Sequence, residues 1–304
     1  MTMRDNLVLI IGAMKAGTTT LFDHLAAHPQ VCGCSPKEPG FFAFDDVYAR
    51  GSDWYRSLFD FDPEQHSIFL DGSTDYTKWP HCERVLERLD SFGVRPKFIY
   101  LMRHPLRRIE SHAQHTQFAR RELGMNDSPR PDHSLDAGVS DVSLDISRYA
   151  QQLDQYRDVY DEGRLLILTL EEMSSDPKST LRQVCTFLEI DPDLINEELE
   201  TRNKGATVRR ANELHPLWVA ARSVEPLYKL TKALLPQSIR DTMRDSTKPK
   251  TEVKGRFKLT AQEETSLLSM LAPDLIKLRD VYGIDIEHIW GLRPEAFETP
   301  SAVA

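Results

Sequence analysis

Short apolar runs at residues 7–11, 67–70, 97–102 and 165–169 are separated by longer stretches in which apolar residues recur every three or four positions. Runs of four to six apolar residues are strand-sized, and the three-to-four spacing is that of amphipathic helices, here predicted at 18–27, 80–91, 105–122, 144–160 and 178–188. Strands alternating with helices predict an α/β fold, with a central mostly parallel sheet flanked by helices. Residues 124–143 break the rhythm. They are polar, contain prolines and lack periodicity, so they read as a loop or lid.

After Asp191 the pattern changes. An acidic stretch gives way to "TRNKGATVRRANE", a helical pattern over 215–235, a basic "KPKTEVKGRFK" and a last amphipathic helix over 260–282. No second series of strands is visible, so these pieces, including the basic loops and covering helix of 203–258, are expected to cover the sheet. Residues 1–291 then form one domain and 292–304 a frayed tail.

With 304 residues and 40% hydrophobic content the chain can bury one sizeable core. The formal charge of −9 argues against a nucleic-acid partner, whose recognition rests on a basic footprint. Cys32, Cys34, Cys82 and Cys185 have neither disulfide-framework nor zinc spacing and read as reduced thiols. The run at 7–11 is too short to span a bilayer and resembles no leader, so a soluble, cytoplasmic protein is expected.

The sharpest chemical signal is Gly12-Ala13-Met14-Lys15-Ala16-Gly17-Thr18-Thr19, followed by Thr20, between a predicted strand and a predicted helix. Backbone amides and a helix N-terminus placed this way cradle an anion. The loop has the length of a nucleoside-triphosphate loop, but Thr18 stands where that loop carries its lysine, and Lys15 lies inside the loop instead. A magnesium-dependent P-loop kinase or nucleotidase is therefore the weaker reading, with only Glu171 or Glu172 as a metal-holding carboxylate. Arg103 ends another strand, and Ser111 follows it by about two helical turns. In a parallel sheet these converge on the same crevice as the loop.

"GAMKAGTT" followed by an arginine and a serine at this spacing resembles the donor site of sulfotransferases that use 3′-phosphoadenosine 5′-phosphosulfate (PAPS). "KEPGFFAFDDVYARGSDWYRSLF" is similar to a segment of the heparan sulfate sulfotransferases and related bacterial enzymes. Their central and C-terminal segments resemble the stretches beginning "ISRYAQQLDQY" and "KGRFKLTAQEE" here.

The resemblance implies a P-loop-type domain that transfers a sulfuryl group from PAPS to a hydroxyl, less readily an amine, of a small molecule, lipid or saccharide, with no metal. It implies that Lys15 meets the oxygen bridging to the leaving phosphate, and that Ala16, Gly17, Thr18, Thr19 and Thr20 supply donors. Arg103 and Ser111 would recognise the 3′-phosphate. A basic loop would close over it, either Lys254-Gly255-Arg256 or the stretch bearing Arg209 and Arg210.

Glu38 is the implied base and Lys37 a contact to sulfonate or acceptor. Asp71 is an alternative base, as are His112 and His115 because imidazole titrates near working pH. Phe41, Phe42 and Tyr76 are candidate acceptor walls. Where the heparan enzymes carry a glutamate-lysine pair, Asp71 and Gly72 stand, so an expected lysine is missing. The acidic chain favours an acceptor smaller or less charged than heparan. A non-catalytic protein binding the same nucleotide is the remaining alternative.

Overall fold

The computed structural model describes residues 3–122, 139–195, 208–212, 250–254 and 257–296. Five parallel strands form the central sheet of a single α/β domain: β1 (Leu7–Gly12), β2 (Val31–Gly33), β3 (Ile68–Asp71), β4 (Lys97–Met102) and β5 (Leu165–Thr169), in the order β2-β3-β1-β4-β5. Every residue of β1 is buried, because the sheet is covered on both faces, and its sequence is accordingly apolar without alternation. From β1 the chain passes to β2 and β3 on one side and then to β4 and β5 on the other. The order reverses between β1 and β4, which opens a crevice at the carboxyl ends of these two strands.

The covering helices are α1 (Thr18–Ala26), α2 (Asp45–Tyr48), α3 (Gly51–Arg56), α4 (Val85–Phe92), α5 (Pro105–Glu122), α6 (Asp141–Ser147), α7 (Tyr149–Asp154), α8 (Arg157–Asp161), α9 (Leu170–Ser175) and α10 (Pro177–Leu188). After β6 (Val208–Asn212) and β7 (Lys250–Lys254) come α11 (Ala261–Tyr282) and α12 (Ile286–Trp290). Helix α11 begins at a capping box between Thr260 and Glu263 and ends at Gly283 in the left-handed region. It buries Leu267, Leu271, Leu275 and Leu278, and its Asp274 accepts the amides of Ala150 and Gln151 at the start of α7, at 3.1 and 2.8 Å.

Several expectations change. The short β2 was not anticipated. The helix expected over 144–160 is three pieces, broken where Arg148 and Tyr156 leave helical geometry. The helix expected from Pro80 starts at Val85, because residues 78–82 form a turn closed by the amides of His81 and Cys82 on the Lys78 carbonyl. The stretch expected as loop to 143 already enters α6 at Asp141, which Ser140 caps.

The tail expected to fray from 292 is packed at its start. Leu292 is buried, and Arg279 of α11 pairs with Glu295. The covering region holds an antiparallel ribbon, β6 with β7, where none was expected. The helix predicted over 215–235 lies outside the described residues. Among the described residues no helix is long and apolar enough to cross a membrane.

Candidate active site

The loop between β1 and α1 is fixed by close contacts beneath it. A Cβ on Gly12 would stand 2.1 Å from the Thr77 hydroxyl oxygen and 2.8 Å from the Tyr100 ring, so only glycine lets β1 pass there. That hydroxyl donates to the Ile11 carbonyl at 2.5 Å, and the Ala13 amide reaches the Leu101 carbonyl of β4 at 2.7 Å. At Gly17 the backbone is left-handed (φ 97°), which glycine adopts at no steric cost. Lys15 also lies at positive φ (72°), a strained conformation for a side-chain-bearing residue and one that clusters at functional sites. The amides of Gly17, Thr18 and Thr19 have no backbone acceptor among the described residues, as expected for a helix N-terminus offering donors.

Arg103 leaves the end of β4 on the other side of the crevice, its carbonyl held by the Tyr149 hydroxyl at 2.6 Å. Ser111 lies on α5. Neither the Arg103 guanidinium nor the Ser111 hydroxyl has a hydrogen-bond partner among the described residues.

Beside Ser111, Glu110 takes hydrogen bonds from Arg107 (3.0 Å), Lys258 (3.2 Å) and the Leu259 amide (3.3 Å). Burial works against this carboxylate, but those three donors outweigh it and hold the carboxyl below its usual range. Glu110 thus fastens to α5 the segment that follows Lys254, Gly255 and Arg256. Gly255 and Arg256 lie outside the described residues. Val208 pairs with Lys254 and Arg209 with Val253, so Lys254 and Arg209, taken from the two stretches read as rival loops, belong to adjacent strands of one ribbon.

Arg108, which sequence reasoning missed, lies beneath the loop and is fully buried. It donates to the hydroxyls of Ser147 and Ser143, both at 2.7 Å, to the Ser143 carbonyl, and to the Met14 carbonyl at 3.4 Å. Burial pulls its pKa down to about 10.

The segment carrying Lys37 and Glu38 lies at the end of β3. Lys37 Nζ contacts a Glu38 carboxylate oxygen at 2.5 Å and the Gly72 carbonyl at 3.3 Å, and the Gly72 amide returns a bond to the Lys37 carbonyl at 3.2 Å. The Lys37 ammonium therefore stands over Gly72, where the expected lysine is missing. Glu38 is 41% exposed at the outer edge of this segment.

Asp71 does not face the crevice as a substrate residue or base would. It is fully buried, and burial pushes its carboxyl up to about 6 even though Ser73, Tyr76 and Tyr55 donate to it. Phe41, Phe42 and Tyr76 are likewise interior rather than acceptor walls. Phe41 stacks on Tyr55 with ring centroids 4.5 Å apart, and Phe42 meets Tyr55, Tyr76 and Phe92 edge-on.

His112 is pushed down to about 3, first by burial and then by Arg108, His115, Lys78 and Lys15. It is neutral at working pH and does not titrate there, which removes the ground on which it was considered as base. Lys78, one of the charges that push it down, is held by Asp75 at 2.5 Å. Glu171 and Glu172 are both engaged. Glu171 accepts from the His104 amide and the Trp290 indole, and Glu172 forms the Thr169 cap of α9.

A glycine-bounded loop leading into a helix at the switch point of a parallel sheet defines an α/β protein of the P-loop kind. A family model described as Sulfotransferase domain matches residues 5–213, more than half of the chain, and the chain belongs to that family. Among curated relatives, heparan sulfate glucosamine 3-O-sulfotransferase 3A1 of Mus musculus is 31% identical over 186 residues, covering 59% of this chain and 44% of the relative. Carbohydrate sulfotransferase 15 of Homo sapiens is 24% identical over 298 residues, covering 76% of this chain and 53% of the relative. The chain thus spans about half the length of these relatives. A sulfotransferase structure from Alicyclobacillus acidocaldarius shares the fold with a TM-score of 0.56 at 19% identity, covering 94% of this chain and 98% of that one.

Proposed function

We propose that the chain transfers a sulfuryl group from PAPS to a hydroxyl of a small molecule, lipid or saccharide. The observation that carries this reading is a cation, Lys15, inside the glycine-bounded loop between β1 and α1, in left-handed backbone. A triphosphate loop places its lysine after the second glycine instead.

In the transfer, the acceptor oxygen forms a bond to sulfur as the bond from sulfur to the bridging oxygen breaks, and that electron pair leaves on the 5′-phosphate. Lys15 neutralises the charge gathering on the bridging oxygen, and the loop amides hold the phosphate. Glu38 takes the acceptor proton, with Lys37 beside it contacting the sulfonate or acceptor. Arg103 and Ser111 take the 3′-phosphate, which PAPS carries and ATP lacks, and the β6–β7 ribbon adds charge from Arg209 and Lys254. The names of the relatives point to saccharide acceptors, and the acidic chain to ones less charged than heparan.

Adenosine 3′,5′-bisphosphate is expected to raise the melting temperature by mass action, AMP weakly and ATP with magnesium no more than AMP. Equal stabilisation by ATP with magnesium and none by the bisphosphate would refute the reading. A screen of hydroxylated acceptors with radiolabelled PAPS then identifies the acceptor.

A further inference from the structure

The Asp71 carboxylate is a hub of four donors at the end of β3. One oxygen accepts the Ser73 amide at 2.9 Å and the Ser73 hydroxyl at 2.6 Å, and the other accepts the hydroxyls of Tyr55 at 2.9 Å and Tyr76 at 2.8 Å. An ionised carboxylate only accepts, so each hydroxyl commits its proton to Asp71 and turns its lone pairs elsewhere. Two of them turn to the same neighbour. The Ser73 oxygen accepts the Gly40 amide at 3.0 Å, and the Tyr76 oxygen accepts the Phe42 amide at 3.4 Å. Gly40 lies two residues and Phe42 four residues beyond Glu38 in the chain. One buried carboxylate thus fixes, at one remove, alternate amides of the segment whose outer end carries the Lys37–Glu38 pair.

We infer that Asp71 is a positioning residue for Lys37 and Glu38, acting through the Ser73 and Tyr76 hydroxyls. The inference rests on the role proposed above for Glu38, but the relay itself is readable without turnover. An asparagine at 71 presents an amide donor in place of one oxygen. The hydroxyl facing it must then accept from that amide, and its proton loses its partner inside the protein. Geometry at reacting groups is exacting, and a displacement of about 1 Å can cost on the order of 100-fold in rate.

The test compares the unliganded parent with Asp71→Asn and Ser73→Ala. The Ser73 amide can only donate, so the retained oxygen of asparagine stays on Ser73 and its NH2 faces the tyrosine hydroxyls. Hydrogen exchange is expected to quicken at least about tenfold at Phe42 in Asp71→Asn, and at Gly40 alone in Ser73→Ala, with β1 and β4 amides unchanged. Unaltered exchange at Gly40 in the Ser73→Ala protein overturns the relay, even where Asp71→Asn fails to fold.

In turnover, both variants are expected to lose kcat at least about tenfold while the Kd for adenosine 3′,5′-bisphosphate stays within about twofold. A kcat equal to the parent's in a folded variant, or a loss of kcat and bisphosphate affinity together, overturns the positioning role. A parent inactive on every acceptor refutes the sulfuryl-transfer reading and leaves hydrogen exchange to decide the relay.

Discussion

Replacing Arg108 by methionine separates two contributions that a buried cation makes. Burying a guanidinium costs several kcal/mol, so removing its charge relieves part of that cost. Against this stand the acceptors it leaves behind. Ser147 still donates its hydroxyl to the Ser143 carbonyl at 2.9 Å, so that carbonyl stays satisfied. The Met14 carbonyl loses a long bond of 3.4 Å.

The net loss of stability should therefore be small, about 1–2 kcal/mol, or roughly 3–6 °C in Tm. The loss to ligand should be larger. A unit charge about 8 Å from an anion at an effective dielectric near 20 contributes about 2 kcal/mol, or roughly 30-fold in Kd. Calorimetric titration of adenosine 3′,5′-bisphosphate into Arg108→Met should thus show Kd weakened about 30-fold beside a modest fall in Tm. Arg108→Lys, which keeps the charge, should recover most of the affinity. A Kd within about threefold of the parent together with a collapse of Tm would refute the reasoning and reduce Arg108 to a structural peg.

Lys15→Ala is expected to lower kcat about 10²–10³-fold, the usual consequence of removing one group that stabilises developing charge. Its Tm should hold, because alanine meets the same positive φ, and turnover equal to the parent's would end the assigned role. His112→Gln should leave the acidic limb of the rate profile unmoved, since His112 is pushed down to about 3; a shift of that limb would contradict its burial. For Asp274, burial pushes the carboxyl up to about 6 despite the amides of Gln151 and Ala150, so the folded state holds its proton more tightly than the unfolded one. Its contribution to stability is then greatest below about pH 4 and falls as pH rises through 6. Denaturant unfolding should show Asp274→Asn losing less stability than the parent between about pH 4 and pH 7, and equal losses would refute the shift. Asp71 titrates in the same sense, so the slope should diminish without vanishing.

The sheet was readable because its strands are buried on both faces and so appear as uninterrupted apolar runs, as in 97–102. The loop was readable because its two glycines and its lysine are local in sequence. What escaped is set by tertiary contact. Arg108 sits in an amphipathic stretch where an arginine reads as solvated, and only the crossing of α5 beneath the loop brings it to the Met14 carbonyl. Asp71 ends a strand, where a carboxylate suggests an exposed functional group, and the hydroxyls of Tyr55 and Tyr76 that bury it come from separate elements. The two breaks in the helix expected over 144–160, at Arg148 and Tyr156, have no proline or glycine to mark them.

The β6–β7 ribbon has its open end at Asn212 and Lys250, which pair across the two strands. The five pairs between them, from Val208 with Lys254 to Asn212 with Lys250, share one register, so a slip of a single residue in either strand would break all of them together. The ribbon therefore holds its two strands in one alignment or in none.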